Sequence, residues 1–392
     1  MKILITSIVD LRKTAPNRLH HFIKYLSKKH EITAVCINDW WKAKLVDTSK
    51  YYQDFIRIFD NIEIKYITEK RISPFKQEFF SPKLMRLKND FDDFDVIFNY
   101  NTLISGYYAS KELKLPMVYD LADDLPEMIA NSLQIPRVLR LFGKLVGQYM
   151  LKKNVTISRK ITSISKILQD SYFIPSGKFE LVPNGVDTKL FRRVKSNIKA
   201  ELWLEDYFVL GYVGVLREWV DLRPVYQAIR NLNDVKLLIV GEEGMLSENK
   251  ELIRRYRVED KVIFAGTVPY TKVSLYISAM DVCLIPFKQN AISQNAVPLK
   301  LFEYMACEKP VISADLKGVR EAVGDRVLYA NTEQEYKDCI KTLISSPEFA
   351  NELGKRGRDF VVENYEWSKT AEKLEEIIGG VVFENISTKP AF

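Results

Sequence analysis

Cysteine and histidine, which cross-link small domains or bind zinc, are scarce in this chain of 392 residues. Its four cysteines are widely scattered without paired spacing, and its three histidines form no metal-ligand pattern with them. The sequence therefore predicts neither a disulfide framework nor a zinc site, and a reducing compartment is the default for such a chain. We expect no resident metal and no cofactor.

Long hydrophobic runs are also missing, although 47% of the residues are hydrophobic. No uninterrupted apolar run is long enough to span a bilayer. The first ten residues are interrupted by charge too soon to suggest a signal peptide. This composition is typical of a globular protein of the cytoplasm, and the length suits two domains.

Glycine is absent from residues 10–17, a loop that follows a predicted strand at 2–9. Helical spacing over 17–28 and a second strand at 31–37 complete a Rossmann-like opening. A dinucleotide-binding loop needs glycines so that its backbone can approach the pyrophosphate, so we do not expect a nicotinamide or flavin enzyme. Arg18 at the helix start is either an anion ligand or a solvated surface charge.

Acidic residues are absent between Glu127 and Asp170, and residues 1–192 hold 31 Lys and Arg against 21 Asp and Glu. Basic residues are interspersed among apolar ones over 137–166, which predicts a long basic amphipathic helix followed by a strand. Such a segment suits an anionic membrane surface, whereas a solvated helix docked on the sheet is the alternative. Because no nucleic-acid-binding motif accompanies the charge, we expect no nucleic-acid partner.

The predicted strand within 116–126 ends in acidic residues. Ligands of open α/β sheets bind at the carboxyl ends of the strands, which places Asp120 and Asp123 where site chemistry occurs.

Residues 298–312 predict a short helix followed by a buried strand. Pro298 suits the first helical position, and free amides there, with the helix dipole, form an anion site. Lys300 adds an ammonium, and Glu303 shares its helix face. A phosphate site beside a carboxylate for ribose hydroxyls is what a nucleotide-sugar needs. The alternative is an ordinary helix cap with a surface ion pair.

A second series of strands and helices begins after a turn at residues 184–185. Gly214 ends one of its strands and would let a ligand approach the backbone, and Arg217 offers a guanidinium for phosphate. We therefore predict two Rossmann-like domains, with boundaries at 1–190 and 191–364, followed by a C-terminal segment at 365–392. Two consecutive domains of this kind suggest a substrate bound in a cleft between them.

Together these segments resemble glycosyltransferase family 4, which has the GT-B fold: an α/β protein with two Rossmann-like domains facing across a cleft. The resemblance covers nearly the whole chain and is carried by the order and spacing of residues 181–191, 237–244, 262–266, 298–312 and 357–367. It implies an acceptor-binding first domain, a donor-binding second domain and a last helix that returns to the first. Some segments resemble a subgroup that makes surface polysaccharides.

The resemblance implies retaining transfer from a nucleotide-sugar to a lipid-linked or glycan acceptor. Together the residues and the resemblance assign catalytic roles to Asp123, Lys300, Arg217 and Asn295, donor-binding roles to Gly214, Gly241, Thr267, Val268, Leu299, Lys300, Leu301 and Glu303, and acceptor-binding roles to Asn17, Arg18 and Asp120.

Two positions depart from the family pattern. Asn295 stands where the family's Glu-x7-Glu signature has its first glutamate, with Glu303 as the second. Val215 occupies a position that is usually arginine, so Arg217 is expected to compensate.

Three other functions stay open at this point. A nucleotide-sugar epimerase on the same fold would convert its substrate without an acceptor. A non-catalytic subunit would bind the sugar-nucleotide and release no nucleotide, and a peripheral membrane scaffold would bind vesicles without nucleotide affinity. For the leading interpretation we expect a cytoplasmic enzyme, attached peripherally to the inner face of the cell membrane through residues 137–166.

Overall fold

The computed structural model describes residues 1–39, 52, 55, 57–85, 93–131, 135–241 and 244–387. The chain divides into two compact units, one formed by Met1–Pro183 with Trp367–Phe392 and the other by Asn184–Glu366. The chain therefore passes from the first unit to the second after Pro183, before the boundary predicted at 190. The Asn184 side chain donates to the Val297 carbonyl (2.8 Å), and the Val186 amide donates to the Tyr365 carbonyl (2.7 Å), so backbone and side-chain bonds tie this segment to the second unit.

The first unit is built on a parallel sheet. Within the described residues its strands are β1 (Lys2–Ser7), β2 (Glu31–Cys36), β3 (Glu63–Tyr66), β4 (Val96–Tyr100), β5 (Met117–Leu121), β6 (Lys160–Ser163) and β7 (Phe179–Leu181). Their spatial order is β3-β2-β1-β4-β5-β6-β7, so the order reverses between β1 and β4. Ile3 of β1 pairs with Ile32 on one side and Val96 on the other. The central strands are buried on both faces, as expected for a parallel sheet covered by helices.

Within the described residues, six α-helices accompany this sheet before the chain leaves the first unit: α1 (Arg18–Leu26), α2 (Pro74–Leu84), α3 (Ser105–Leu113), α4 (Leu125–Asn131), α5 (Arg137–Ile157) and α6 (Lys166–Ser171). A 3-10 turn spans Arg57–Asn61. The long basic helix predicted from residue 137 onward is confirmed as α5.

The second unit repeats the arrangement. Its described strands are β8 (Phe208–Val213), β9 (Val235–Val240), β10 (Val262–Gly266), β11 (Val282–Ile285), β12 (Val311–Ser313) and β13 (Leu328–Tyr329), in the order β10-β9-β8-β11-β12-β13. Its helices are α7 (Ile198–Glu201), α8 (Arg223–Ile229), α9 (Leu246–Tyr256), α10 (Val273–Ala279), α11 (Ala291–Gln294), α12 (Leu299–Ala306), α13 (Lys317–Val323), α14 (Glu333–Ser345) and α15 (Pro347–Asn364). This strand order is that of doubly wound nucleotide-binding folds, with its reversal between β8 and β11.

The last helix, α16 (Trp367–Ser387), belongs to the first unit. Trp367 stacks on His21 of α1 with ring centroids 4.4 Å apart and the planes 7° from parallel. Glu375 accepts from Lys29 at 2.9 Å and contacts the His30 ring at 3.1 Å. The predicted return of the last helix to the first domain is therefore confirmed. None of the helices in the described ranges is long and apolar enough to cross a membrane.

Candidate functional site

Glycines line the carboxyl edge of the second sheet, beside the point where its strand order reverses. The Gly214 amide donates to the Val240 carbonyl (2.7 Å), and the Gly241 amide donates to the Gly266 carbonyl (2.9 Å). Gly214 and Gly241 have φ of +129° and +140°, which L side chains rarely adopt. A Cβ on Gly241 would lie 2.5 Å from the Gly214 carbonyl oxygen, so only glycine permits this approach.

Helix α12 brings Lys300 to this edge. Leu301 and Phe302 are fully buried and anchor the helix, whereas Lys300 and Glu303 lie on its partly exposed face. The Lys300 Nζ donates to the Tyr212 hydroxyl at 2.9 Å and lies 4.1 Å from the centre of that ring. A Cβ on Gly214 would be 2.5 Å from the same Nζ. The Lys300 ammonium therefore lies beside Gly214, directly after the end of β8.

The start of α12 differs by one residue from the sequence expectation. Pro298 is the N-cap, with extended backbone (φ −72°, ψ 141°), and the helix begins at Leu299. The Leu301 amide donates to the Pro298 carbonyl at 3.0 Å. The amides of Leu299 and Lys300 are the ones that a helix leaves without an internal acceptor, so they are better placed for an anion than that of Leu301.

Burial favours the uncharged forms of both Lys300 and Glu303. Burial lowers the pKa of Lys300 to about 7, with the Glu303 carboxylate opposing the shift. Burial also raises the pKa of Glu303 to about 7, opposed by Lys300 and by the Tyr270 hydroxyl 3.5 Å from Oε1. A bound polyanion would compensate the desolvated ammonium, which is what a diphosphate offers. Tyr270 was not predicted, because nothing in its local sequence connects it with residue 303.

Two further residues with predicted catalytic roles, Arg217 and Asn295, lie on the same unit, as do two with predicted donor-binding roles, Thr267 and Val268. Arg217 is exposed, and its charge opposes the burial that raises the pKa of Tyr212, the hydroxyl partner of Lys300. Thr267 and Val268 are partly exposed between β10 and the 3-10 turn Tyr270–Lys272. Asn295 is the C-cap of α11, in the connection that leads to Pro298. Their roles stay predictions.

In the first unit, Arg18 and Asp120 form a buried bidentate ion pair rather than an open anion site. Arg18 Nε and Nη2 donate to the two Asp120 carboxylate oxygens at 2.8 and 2.9 Å. The guanidinium also donates to the carbonyls of Pro183 and Val182, at 2.8 and 2.7 Å. The Thr162 hydroxyl also donates to Asp120 (2.6 Å). Since these bonds join α1 to the ends of β5 and β7, the geometry favours a positioning role for the pair over direct acceptor contact.

Asn17 is also engaged by its own helix. It is the N-cap of α1, and its side-chain oxygen accepts from the Leu19 amide at 3.1 Å. This is the ordinary capping function of asparagine, so its predicted acceptor-binding role has no separate support in the geometry.

Asp123, three residues after Asp120, remains open to solvent. Desolvation of the carboxyl group by the surrounding protein raises the pKa of Asp123 to about 6. The carboxylates of Asp120 and Asp124 raise it further, and the Arg18 guanidinium opposes the shift. A carboxyl group that titrates near neutrality can exchange a proton with a hydroxyl group of a substrate. Asp123 is therefore the predicted residue in this unit whose side chain is best suited to chemistry.

Asn101 is a candidate that the sequence analysis missed. It directly follows β4, has φ of +55°, and its amide donates to the Asp120 carbonyl at 3.0 Å. The residue is 1% exposed, yet within the described chain neither Oδ1 nor Nδ2 has a hydrogen-bond partner. A buried amide group left without partners costs about 1–3 kcal/mol, and a ligand could supply them. The available signal was an asparagine at a strand end, because asparagine tolerates positive φ.

The charged residues do not assemble into a metal centre in the part of the chain that the structure describes, where no group of three or more His, Cys, Asp or Glu is placed to hold an ion.

Known proteins share sequence with this chain. Residues 194–378 match the family described as glycosyl transferases group 1. The putative teichuronic acid biosynthesis glycosyltransferase TuaH of Bacillus subtilis is 30% identical to this chain over the matched region. That region covers 44% of this chain and about half (48%) of the relative's length. The GDP-mannose-dependent alpha-(1-6)-phosphatidylinositol monomannoside mannosyltransferase of Mycolicibacterium smegmatis is 25% identical over a region that covers 61% of this chain and 68% of the relative's length.

A solved structure matches both units. The crystal structure of Anabaena Alr3699/HepE in complex with UDP and glucose superimposes with a TM-score of 0.75 at 17% identity. The match covers 97% of this chain and all of that one (100%). This likeness confirms the expected fold class, GT-B with two Rossmann-like domains.

Proposed function

We propose that the chain is a glycosyltransferase, since residues 194–378 match the glycosyl transferases group 1 family, and that it transfers a sugar from a nucleotide-sugar donor to a lipid-linked or glycan acceptor. We assign the transfer to retention of configuration and to the synthesis of cell-surface polysaccharide or glycoconjugate. The observation that carries the proposal is the Lys300 ammonium, held 2.9 Å from the Tyr212 hydroxyl, next to Gly214 and on one helix face with Glu303.

The second unit would hold the donor. The amides of Leu299 and Lys300, the Lys300 ammonium and the Arg217 guanidinium would bind the diphosphate, while Glu303 accepts hydrogen bonds from the ribose hydroxyls. When the bond between sugar and diphosphate breaks, negative charge grows on the leaving phosphate. Positive groups fixed before the reaction stabilise that charge more in the transition state than in the ground state.

Glycines and backbone groups complete the donor site in this proposal. Gly214 and Gly241 leave room for the diphosphate, and the segment with Thr267 and Val268 offers backbone groups to the base. Asn295 replaces a carboxylate of the family pattern with a neutral amide, which can both donate to and accept from sugar hydroxyls. We therefore assign Asn295 to the sugar, with a weaker contribution than a carboxylate would make.

The first unit would recognise the acceptor. Asp123 would accept a hydrogen bond from the attacking hydroxyl and take up its proton, which its pKa of about 6 permits. The new bond to the sugar carbon would form on the same face from which the diphosphate leaves, so the configuration is retained. The unpartnered Asn101 amide would bind a neighbouring acceptor hydroxyl. The Arg18–Asp120 pair would position the strand end that carries both residues. We name no covalent nucleophile.

The reaction is proposed to run without a resident metal, because Lys300, Arg217 and helix amides supply the positive charge that a metal ion would otherwise supply. EDTA should then leave the rate unchanged, and a loss of rate restored by Mg²⁺ or Mn²⁺ would refute this part. We further propose a cytoplasmic protein attached to the inner face of the membrane through residues 137–166. The name of the mycobacterial relative, whose acceptor is a phosphatidylinositol derivative, supports a lipid acceptor.

A thermal-shift screen with UDP-glucose and GDP-mannose tests donor binding, followed by measurement of nucleotide release with a membrane extract as the acceptor source. A ligand at about 100 times its dissociation constant should stabilise the protein by about 2.7 kcal/mol. Glu303→Gln should lose most of this shift, whereas Lys341→Met, an exposed lysine on α14, should keep it. Donor binding without nucleotide release would indicate a binding subunit, and sugar conversion without an acceptor would indicate an epimerase.

A further inference from the structure

Helix α5 presents a broad apolar surface to solvent. Six of its large apolar side chains are more than half exposed: Val138, Leu139, Leu141, Phe142, Leu145 and Tyr149. The opposite side is the packed one, where Gly143 and Gly147 meet Ile129 and Pro126 of helix α4. Soluble proteins rarely leave so many neighbouring large apolar side chains in water without a partner.

Helix α2 carries a second surface of the same kind, which the sequence analysis did not identify. Phe75, Phe79 and Phe80 are 50%, 51% and 41% exposed. Their rings contact one another, with centroids 6.3 Å apart for Phe75 and Phe79 and 5.1 Å apart for Phe79 and Phe80. The polar residues Gln77 and Glu78 point inward instead, which inverts the usual orientation of an amphipathic helix.

The inward orientation of α2 is fixed by hydrogen bonds. Buried Glu78 accepts from the Ser105 amide (3.1 Å) and hydroxyl (2.8 Å) at the start of α3. Gln77 donates to the Asn38 and Ile72 carbonyls at 2.7 and 2.8 Å. Rotation of the helix to bury its phenylalanines would break these bonds, so the exposed aromatic face is a built feature of the unit.

Both helices lie on one side of the first sheet and have basic outer surfaces. Helices α2 and α5 each pack against α3, which packs on β1 and β4. Lys76 and Lys83 are exposed on α2, and Arg137 and Lys152 are exposed on α5. The only acidic residue within either helix is the buried Glu78. An apolar surface bordered by cations complements an anionic lipid leaflet, whose interface takes up aromatic rings and attracts lysine and arginine.

We propose that α2 and α5 form a two-helix surface that embeds the first unit in an anionic leaflet, with Phe75, Phe79 and Phe80 entering the acyl boundary. This surface rests on the proposed function in one respect, namely that the enzyme reaches its acceptor at a membrane. It adds α2 as an insertion site to the attachment already assigned to α5. The occupant is the bilayer itself, and a second copy of the chain is the alternative that the experiment must separate.

Vesicle co-sedimentation tests the surface without donor or acceptor, so its failure would leave sugar transfer untouched. The full chain should bind phosphatidylcholine vesicles containing phosphatidylglycerol far better than phosphatidylcholine alone, and high salt should weaken the binding. The triple variant Phe75→Ser, Phe79→Ser, Phe80→Ser should bind about a hundredfold more weakly, since three half-exposed aromatic side chains lose their burial. Phe383→Ser, a 72% exposed residue on α16, is the matched control and should bind as the wild type does.

A label on α2 then distinguishes insertion from nearby contact. Phe79→Cys in a Cys339→Ser background can carry an environment-sensitive dye, because Cys36, Cys283 and Cys307 are buried. Dye fluorescence should rise on anionic vesicles and be quenched by lipids that carry quenchers near the headgroup, whereas a dye at Phe383→Cys should not respond. An unresponsive dye at residue 79 on bound vesicles, or triple-variant binding equal to the wild type, would overturn the proposal. So would a dimer in light scattering that the triple variant converts to a monomer, since that would make this face a protein interface.

Discussion

Donor affinity should have a bell-shaped pH dependence with its maximum near 7, because the two charged residues of α12 both titrate there. The ammonium form of Lys300 is the one that binds a diphosphate. With a pKa of about 7 in the free protein, its protonated fraction falls as pH rises above that value. Two pH units higher, about 1% of the molecules would carry the charge, which weakens binding about a hundredfold, or by about 2.7 kcal/mol.

The acid side of the profile belongs to Glu303. Its carboxylate accepts ribose hydrogen bonds, and with a pKa of about 7 it becomes protonated as pH falls. Affinity should therefore decrease below neutrality by at most about tenfold per pH unit. Because the Glu303 carboxylate raises the pKa of Lys300, Glu303→Gln should remove the acid limb and shift the alkaline limb to lower pH.

Isothermal titration with a nucleotide-sugar between about pH 5.5 and 9 measures both limbs. A nucleotide-sugar is preferable to a nucleoside diphosphate, whose terminal phosphate loses a proton near 6 and would confuse the acid limb. Lys300→Met should bind weakly at every pH and lose the alkaline limb, while Lys341→Met should reproduce the wild-type curve. An alkaline limb that persists in Lys300→Met would refute the assignment of Lys300 to the diphosphate.

Three further substitutions test the site and its frame. Gly214→Ala should weaken donor binding by at least about tenfold, because the added methyl group would contact the Lys300 ammonium. The positive φ should cost about 1–3 kcal/mol of stability without unfolding the protein. Titration with the donor measures the affinity, and a melting curve measures the stability. Asn101→Ala should raise the acceptor KM and leave donor affinity unchanged, and an altered donor affinity would contradict its placement at the acceptor. Arg18→Met should lower the free energy of unfolding by about 3–5 kcal/mol, because it leaves the Asp120 carboxylate buried and unpaired; chemical denaturation measures this, and a near-wild-type value would count against the buried pair.

Several parts of the fold followed from local patterns. The strands that begin at Lys2 and Glu31, and the helix that carries Lys300 and Glu303, were predictable because apolar periodicity and turn residues act over a few positions. The family motifs gave the GT-B class, since their order along the chain reflects the repeated strand and helix units. The strand predicted to end at Gly214 stops one residue earlier, at Val213, because Gly214 has a positive φ.

Apolar periodicity, turn residues and motif spacing were enough to predict two Rossmann-like domains, a resemblance to a glycosyltransferase family, and a lysine and a glutamate on one helix face. The partners of these and other side chains became known only from the folded arrangement. Lys300 donates a hydrogen bond to Tyr212, 88 positions away in the sequence, and the Arg18 guanidinium pairs with Asp120, 102 positions away. Such contacts depend on strand order and register, which bring distant segments to one sheet edge and leave no mark on the periodicity of either segment.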